Sequence, residues 1–304
     1  MSESSPDSDP YALIGIIKNP NGSITRDPTR IPSAPATPEP SPQNPVVSKD
    51  IIVSQTNSTW MRLYVPSTNL LRSSQKLTLL LYFHAGGFIT CSVDFQLFHD
   101  FCNLMAHELN VVVASASYRL APEFKLPAAY DDGEDALEWL RNSKDAWINS
   151  HADLSNVYIM GSNAGGNLAY NVGIRYVFAD LRPLSIRGLI LHHPFFGGES
   201  ELRHVNVNDQ AVGELCWKLC LPVGANRDHE YSNPTVRDEP EIMKAIGRSG
   251  WKVMVMVSGG RQRDVAKLMN EKGVDMVEAV QGDLNNPETM FASIRKLIVE
   301  ASPI

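Results

Sequence analysis

Apolar and polar positions along the chain fall into blocks whose period switches repeatedly between two and three to four residues. Asp50–Gln55 and Trp60–Pro66 alternate as half-exposed strands do. Leu77–His84 is a largely apolar run of strand length, the pattern of a strand buried on both faces. Val111–Tyr118, Val157–Met160, Arg187–His192, Lys252–Val257 and Val274–Val280 repeat that signature. Between them, Phe98–Leu109, Tyr130–Asn142, a segment from residue 164 to about Tyr176, Val212–Leu221, Asp264–Lys272 and Glu288–Glu300 read as helices. Asp131 and Asp132 stand near the start of the second of these, where negative charge complements the helix dipole. Strands alternating with helices predict an α/β fold, with a mostly parallel central sheet flanked by helices on both faces.

The first part of the chain follows another pattern. Tyr11–Ile17 has the spacing of a short amphipathic helix, and Asn19–Ser23 is a turn. From Arg30 to Val47 prolines recur every few residues, which excludes a helix or a central strand and predicts a segment draped over a surface. We therefore expect an N-terminal arm or cap over residues 1–48 and one domain over 49–304.

Bulk properties narrow the function classes. With 304 residues and 43% hydrophobic content, the chain can bury one large core. A net charge of −7 and the lack of any Lys/Arg run argue against nucleic acid as a partner. No apolar run reaches membrane-spanning length, and the first residues carry neither a basic nor an apolar signal-peptide region. The expected location is the cytoplasm, with the nucleus as a second possibility. Cys91, Cys102, Cys216 and Cys220 have no metal-ligand or disulfide spacing; the last two share a helix face, which suits packing. Neither a metal nor a cofactor is expected.

Three landmarks carry candidate chemistry. Phe83-His84-Ala85-Gly86-Gly87-Phe88 directly follows a buried strand, and glycine there lets backbone N–H groups approach a substrate oxygen. Ser117–Glu123 and Pro127–Asp132 form the second. The third is Gly161-Ser162-Asn163-Ala164-Gly165, set between a short buried strand and a helix. Together with Leu191–Gly198 and Leu221–Pro234, these resemble the plant carboxylesterase family of the hormone-sensitive-lipase group, over about Tyr11 to Ile298. Relatives in that family include the gibberellin receptor, 2-hydroxyisoflavanone dehydratase and alkaloid-forming cyclases. The resemblance implies an α/β-hydrolase fold. It also implies an oxyanion hole from the N–H groups of Gly86, Gly87 and Ala164, supported by His84, Ala85 and Ser162, and a nucleophile elbow at residue 163.

The departures from that pattern matter as much. Asn163 stands where the family carries its serine, and an amide is no nucleophile at neutral pH. Asparagine does tolerate the positive φ of such a turn. The loops expected to carry the acid and the histidine, after Val257 and after Val280, are shortened, and the last histidine in the chain is His229. Asp264 and Asp283 are candidates to reach the site, read more readily as solvated carboxylates. Ser162 is expected to point away from the turn's tip, while His192 and His193 follow the carboxyl end of a strand. The expected ligand is a small apolar or semi-polar metabolite in an apolar cleft walled by the arm. Three readings stay open: a lyase, dehydratase or cyclase using the oxyanion hole, a receptor-like binder, and a decayed esterase paralogue.

Overall fold

The computed structural model describes residues 9–27, 29–41, 44–71, 75–199, 207–236, 240–257, 260–274, 276–277 and 287–300. The chain opens with α1 (Pro10–Leu13) and a small hairpin of β1 (Ile16–Lys18) and β2 (Ile24–Arg26). β3 (Val46–Ser54), β4 (Thr59–Pro66), the short α2 (Ser67–Leu71), β5 (Leu77–Phe83), α3 (Gln96–Leu109) and β6 (Val112–Ala116) follow. Then come α4 (Ala128–Arg141), α5 (Ala146–His151), β7 (Ala152–Ser162), α6 (Ala164–Tyr176), β8 (Ile186–His192) and α7 (Val207–Cys220). The last part holds α8 (Pro240–Ser249), β9 (Lys252–Met256), α9 (Gly260–Glu271), β10 (Met276–Val277) and α10 (Pro287–Glu300).

Among the described residues, eight strands form one sheet in the order β10-β9-β8-β7-β5-β6-β4-β3. From β10 to β6 every pair is parallel; β4 pairs antiparallel with both β6 and β3. The period-two alternation explains why both faces need cover. In β5, Leu79, Leu81 and Phe83 enter one core with Leu168 and Val172 of α6, while Leu80 and Tyr82 enter the other with Met105 of α3 and Phe291 of α10. Ile159 and Met160 of β7 divide in the same way. Because β5 leads to β6 on one side and β7 leads to β8 on the other, the crevice beyond the carboxyl ends of β5 and β7 is the topological switch point, where open α/β sheets bind ligands.

Two boundaries differ from the sequence reading. The helix expected over Tyr11–Ile17 stops at Leu13, and Ile16–Lys18 instead pairs antiparallel with Ile24–Arg26. Gly15, at φ +73°, breaks the helix, and Ile16 is buried as a strand residue. The arm boundary after residue 48 falls inside β3, because Val46 and Val47 already pair with Pro66 and Val65. The last expected strand is described only at Met276–Val277.

Candidate functional site

The elbow forms as its sequence requires. β7 ends at Ser162, α6 starts at Ala164, and Asn163 between them has φ 52° and ψ −114°, a strained conformation outside the helical and extended regions. Surrounding hydrogen bonds hold it. Its N–H donates to the His192 carbonyl at 2.9 Å, and its own carbonyl accepts from the N–H groups of Gly166, Asn167 and Phe195 at 2.9, 3.1 and 2.8 Å. The turn also needs a glycine at 165: a Cβ there would lie 2.0 Å from the Phe83 carbonyl oxygen and 2.6 Å from that of His84. That close approach seats the first turn of α6 against the start of the 84–88 loop. Below it, the Asn167 amide donates to the carbonyls of Phe195 (2.9 Å) and Tyr231 (2.7 Å) and accepts from the Tyr130 hydroxyl at 2.7 Å.

The 84–88 loop is rigid for similar reasons. Gly86 and Gly87 have φ of +127° and +61°, and Phe88 follows at +65°. The Gly86 carbonyl accepts from the N–H groups of Ile89 and Thr90, both at 3.0 Å. His84 is buried, and burial pushes its imidazole down to about 4, so the ring is neutral at pH 7. In that state Nδ1–H donates to the Ala85 carbonyl at 2.7 Å, and the ring stacks on Tyr118 at 4.4 Å. Its role is to brace. Ala85 adopts no positive φ.

Among the described residues, no acceptor binds the N–H groups of Gly86, Gly87 or Ala164, and no partner engages the Asn163 carboxamide. Donors left open at adjacent strand ends are what a ligand oxygen would use.

α7 roofs this crevice. The Cys216 sulfur would lie 2.7 Å from a Cβ on Gly87, so glycine lets α7 sit against the loop without displacing that side chain. Trp217 stacks on Phe195 at 4.4 Å with ring planes 3° apart. Burial raises the Cys216 thiol to about 12, which keeps it inert. α1 packs on α7 in turn. A cavity of about 480 Å³ lies at the far end of α7, lined by Lys125, Trp217, Lys218 and Leu221 among others, but by no residue of the elbow or the 84–88 loop.

On the opposite face of the sheet, Ser162 has a different role. β7 and β8 set Ser162 directly across from His192, and the serine hydroxyl lies 2.8 Å from Nδ1. The Tyr82 hydroxyl donates to the same serine oxygen at 3.1 Å, so the serine proton is directed to the imidazole. His192 stacks on Phe101, and burial pushes its pKa down to about 4. The pair is a closed hydrogen-bond chain pointing away from Asn163's crevice. His193 is buried beside it, with its N–H on the Met256 carbonyl at 3.1 Å.

Of the candidate carboxylates, Asp264 is largely exposed on α9 and pairs with Arg261 at 3.5 Å. Asp283 lies outside the described residues. No group of three or more His, Cys, Asp or Glu among the described residues could hold a metal, and no described helix is long and apolar enough to cross a membrane. Sequence reasoning missed Ser162's partnership with His192, the contact of Cys216 with Gly87, and Arg26, whose side chain reaches the carbonyl of Ile89. None of these leaves a periodic or motif-level trace.

A family model described as alpha/beta hydrolase fold matches residues 80–281. The chain is 56% identical to Carboxylesterase 20 of Arabidopsis thaliana, covering 98% of this chain and 99% of that one. That alignment spans 325 positions against 304 residues here, so at least 21 of its positions are gaps in this chain. A 3-O-acetylpapaveroxine carboxylesterase of Papaver somniferum is 37% identical over 88% of this chain and 89% of its own. Among solved structures, a Pyrobaculum calidifontis esterase matches with TM-score 0.63 at 23% identity, covering 83% of this chain and 84% of that one. A Rhizomucor miehei esterase structure matches with TM-score 0.67 at 18% identity, covering 84% and 85%. At those identities the structural likeness speaks for the fold alone.

Proposed function

The chain belongs to the plant carboxylesterase family of α/β-hydrolase fold, and from that premise we propose that it is a member without a Ser-Asp-His triad. In this reading it does not hydrolyse esters. It holds the polarised oxygen of a small apolar or semi-polar metabolite with the N–H groups of Gly86, Gly87 and Ala164, and acts as a lyase-, dehydratase- or cyclase-type catalyst. The observation that carries the reading is Asn163: elbow geometry with an amide in place of an alkoxide source. The exposed Asp264, paired outside the crevice, also supports it.

A second reading, a receptor-like binder, draws on a separate observation. Two described imidazoles around the elbow, His84 and His192, both have Nδ1 engaged by protein groups. Oriented N–H donors alone stabilise negative charge, which suffices for polarisation and for binding, whereas proton transfer adds about 10²–10⁴-fold and needs a positioned base.

The deciding experiment incubates the protein with small-molecule extract of its source tissue and follows metabolites by mass spectrometry, with p-nitrophenyl acetate assayed in parallel. We expect p-nitrophenol release at the buffer rate and consumption of a metabolite that Asn163→Asp, nearly isosteric but anionic, abolishes. Saturable binding without consumption selects the binder. Ester turnover well above buffer overturns both.

A further inference from the structure

We propose that Arg26, on the N-terminal hairpin, is a positioning residue that sets the geometry of the oxyanion loop; this rests on the reading that Gly86 and Gly87 N–H groups receive the ligand oxygen. The loop from 86 to 91 bends by placing four residues at positive φ: Gly86 at 127°, Gly87 at 61°, Phe88 at 65° and Cys91 at 80°. Phe88 and Cys91 carry side chains that disfavour this region, so the loop does not hold its shape from local preference. Something outside it must.

Arg26 supplies that restraint. Its Nε donates to the Ile89 carbonyl at 2.6 Å and its Nη2 to the Ala121 carbonyl at 2.8 Å. Nη1 and Nη2 together grip the two carboxylate oxygens of Glu123 at 2.9 and 2.7 Å. The two carbonyls connect to the loop from both sides. The Ile89 N–H donates to the Gly86 carbonyl, and the Ala121 N–H donates to the Phe88 carbonyl at 2.8 Å. One guanidinium therefore fastens the loop to the 121–123 segment while Glu123 fixes the plane of the fork. Lysine, a point charge with rotatable donors, cannot reproduce four bonds in fixed directions. As an ion pair the contact is worth little, since Arg26 and Glu123 are 29% and 46% exposed. Its effect lies in the two carbonyls it aligns. α1 immediately precedes and contacts the hairpin that carries Arg26, and α1 also packs on α7 over the same crevice, so arm and loop geometry are coupled through this residue.

The test compares two probes of the full chain by titration calorimetry: 1-naphthoate, whose carboxylate requires aligned N–H donors, and 1-naphthalenemethanol, which requires them far less. Wild type should prefer the carboxylate, and Asn163→Asp should remove that preference. Arg26→Ala should weaken 1-naphthoate about tenfold, the scale of one well-placed hydrogen bond, while shifting the alcohol less than about twofold. Arg26→Lys should lose nearly as much as Arg26→Ala. Glu123→Gln, which leaves both carbonyl bonds in place, should fall between wild type and Arg26→Ala and guards against an arginine variant that fails to fold. Equal losses for both probes, or full rescue by lysine, overturn the positioning role. If wild type shows no carboxylate preference, or binds neither probe, the donor reading itself fails and this inference with it. Preference lost in Asn163→Asp but kept in Arg26→Ala refutes the inference alone.

Discussion

Ser162 and Asn163 are consecutive residues on opposite faces of the same sheet edge, and their surroundings differ in kind. The serine hydroxyl is saturated, taking a proton from Tyr82 and giving one to His192, with aromatic rings packed behind the histidine. The asparagine amide engages no described partner and shares its crevice with three backbone N–H groups in the same condition. Buried polar groups that pair with one another hold a fold together; polar groups left open in a crevice are available to a ligand. A Ser–His contact near an elbow invites a catalytic reading, yet here the chemical vocabulary of a hydrolase lies on the architectural side. The bland residue lies on the functional side.

The two faces share one property, an imidazole held neutral by partial or full burial, and acid should expose it most strongly. His84 and His192 both have native pKa values pushed from 6.5 down to about 4 by burial. Between those values the unfolded chain binds more protons than the native one, so stability is complete above about pH 6.5 and is lost as pH falls toward 4. For the fully buried His84 the loss is on the order of 3 kcal/mol. Thermal melts across that range should show Tm falling with pH, less steeply in His84→Asn. An unchanged slope in that variant would mean the loop histidine is solvated and the brace is absent.

The contrast between neighbours is tested most directly by truncating each. Ser162→Ala leaves the Tyr82 hydroxyl and His192 Nδ1 buried without their partner, which costs about 1–3 kcal/mol. Asn163→Gly removes an amide with no described bond and relieves a strained φ of 52°, offset by glycine's larger unfolded-state entropy, so stability should change by less than about 1 kcal/mol and in the favourable direction. Urea denaturation measures both. If the asparagine variant proves the more damaging of the two, the assignment of structural and open faces is reversed.

How much of this was readable from sequence depends on the range of the forces involved. The 84–88 loop and the elbow are local: glycines at fixed offsets between a buried strand and a helix, legible because backbone geometry demands them. The sheet strands were legible for the same reason, through two-residue alternation and apolar runs. Tyr11–Ile17 failed because Ile14, Ile16 and Ile17 fit either period, and the pairing of Ile16 with Arg26 decided for the strand. The Ser162–His192 bond follows from β8 lying beside β7 in register, and Arg26's contacts span 63 to 97 residues of sequence. Such contacts arise from tertiary packing, which no single segment encodes. α5, at six residues, is too short for its pattern to be read, whereas α8 does carry an apolar face at Ile242, Met243 and Ile246.

The smallest expected effect is also the sharpest. Asn163→Ser restores a hydroxyl to the elbow, beside the N–H groups of Gly86, Gly87 and Ala164, and invites the expectation of a revived esterase. A serine hydroxyl is a weak nucleophile until a base takes its proton, and a positioned base contributes about 10²–10⁴-fold. Three of the described histidines are committed elsewhere. His84 Nδ1 holds the Ala85 carbonyl, His192 Nδ1 holds Ser162 across the sheet, and His229 Nδ1 accepts the Tyr231 N–H at 3.2 Å. Sequence beyond His229 offers none. The kcat/KM of Asn163→Ser for p-nitrophenyl acetate should therefore stay within about twofold of the parent, because an oxyanion hole without a base adds little to an unactivated alcohol. A gain of about 100-fold or more would reveal a base reaching the elbow, and with it a crevice equipped for more than holding an oxygen.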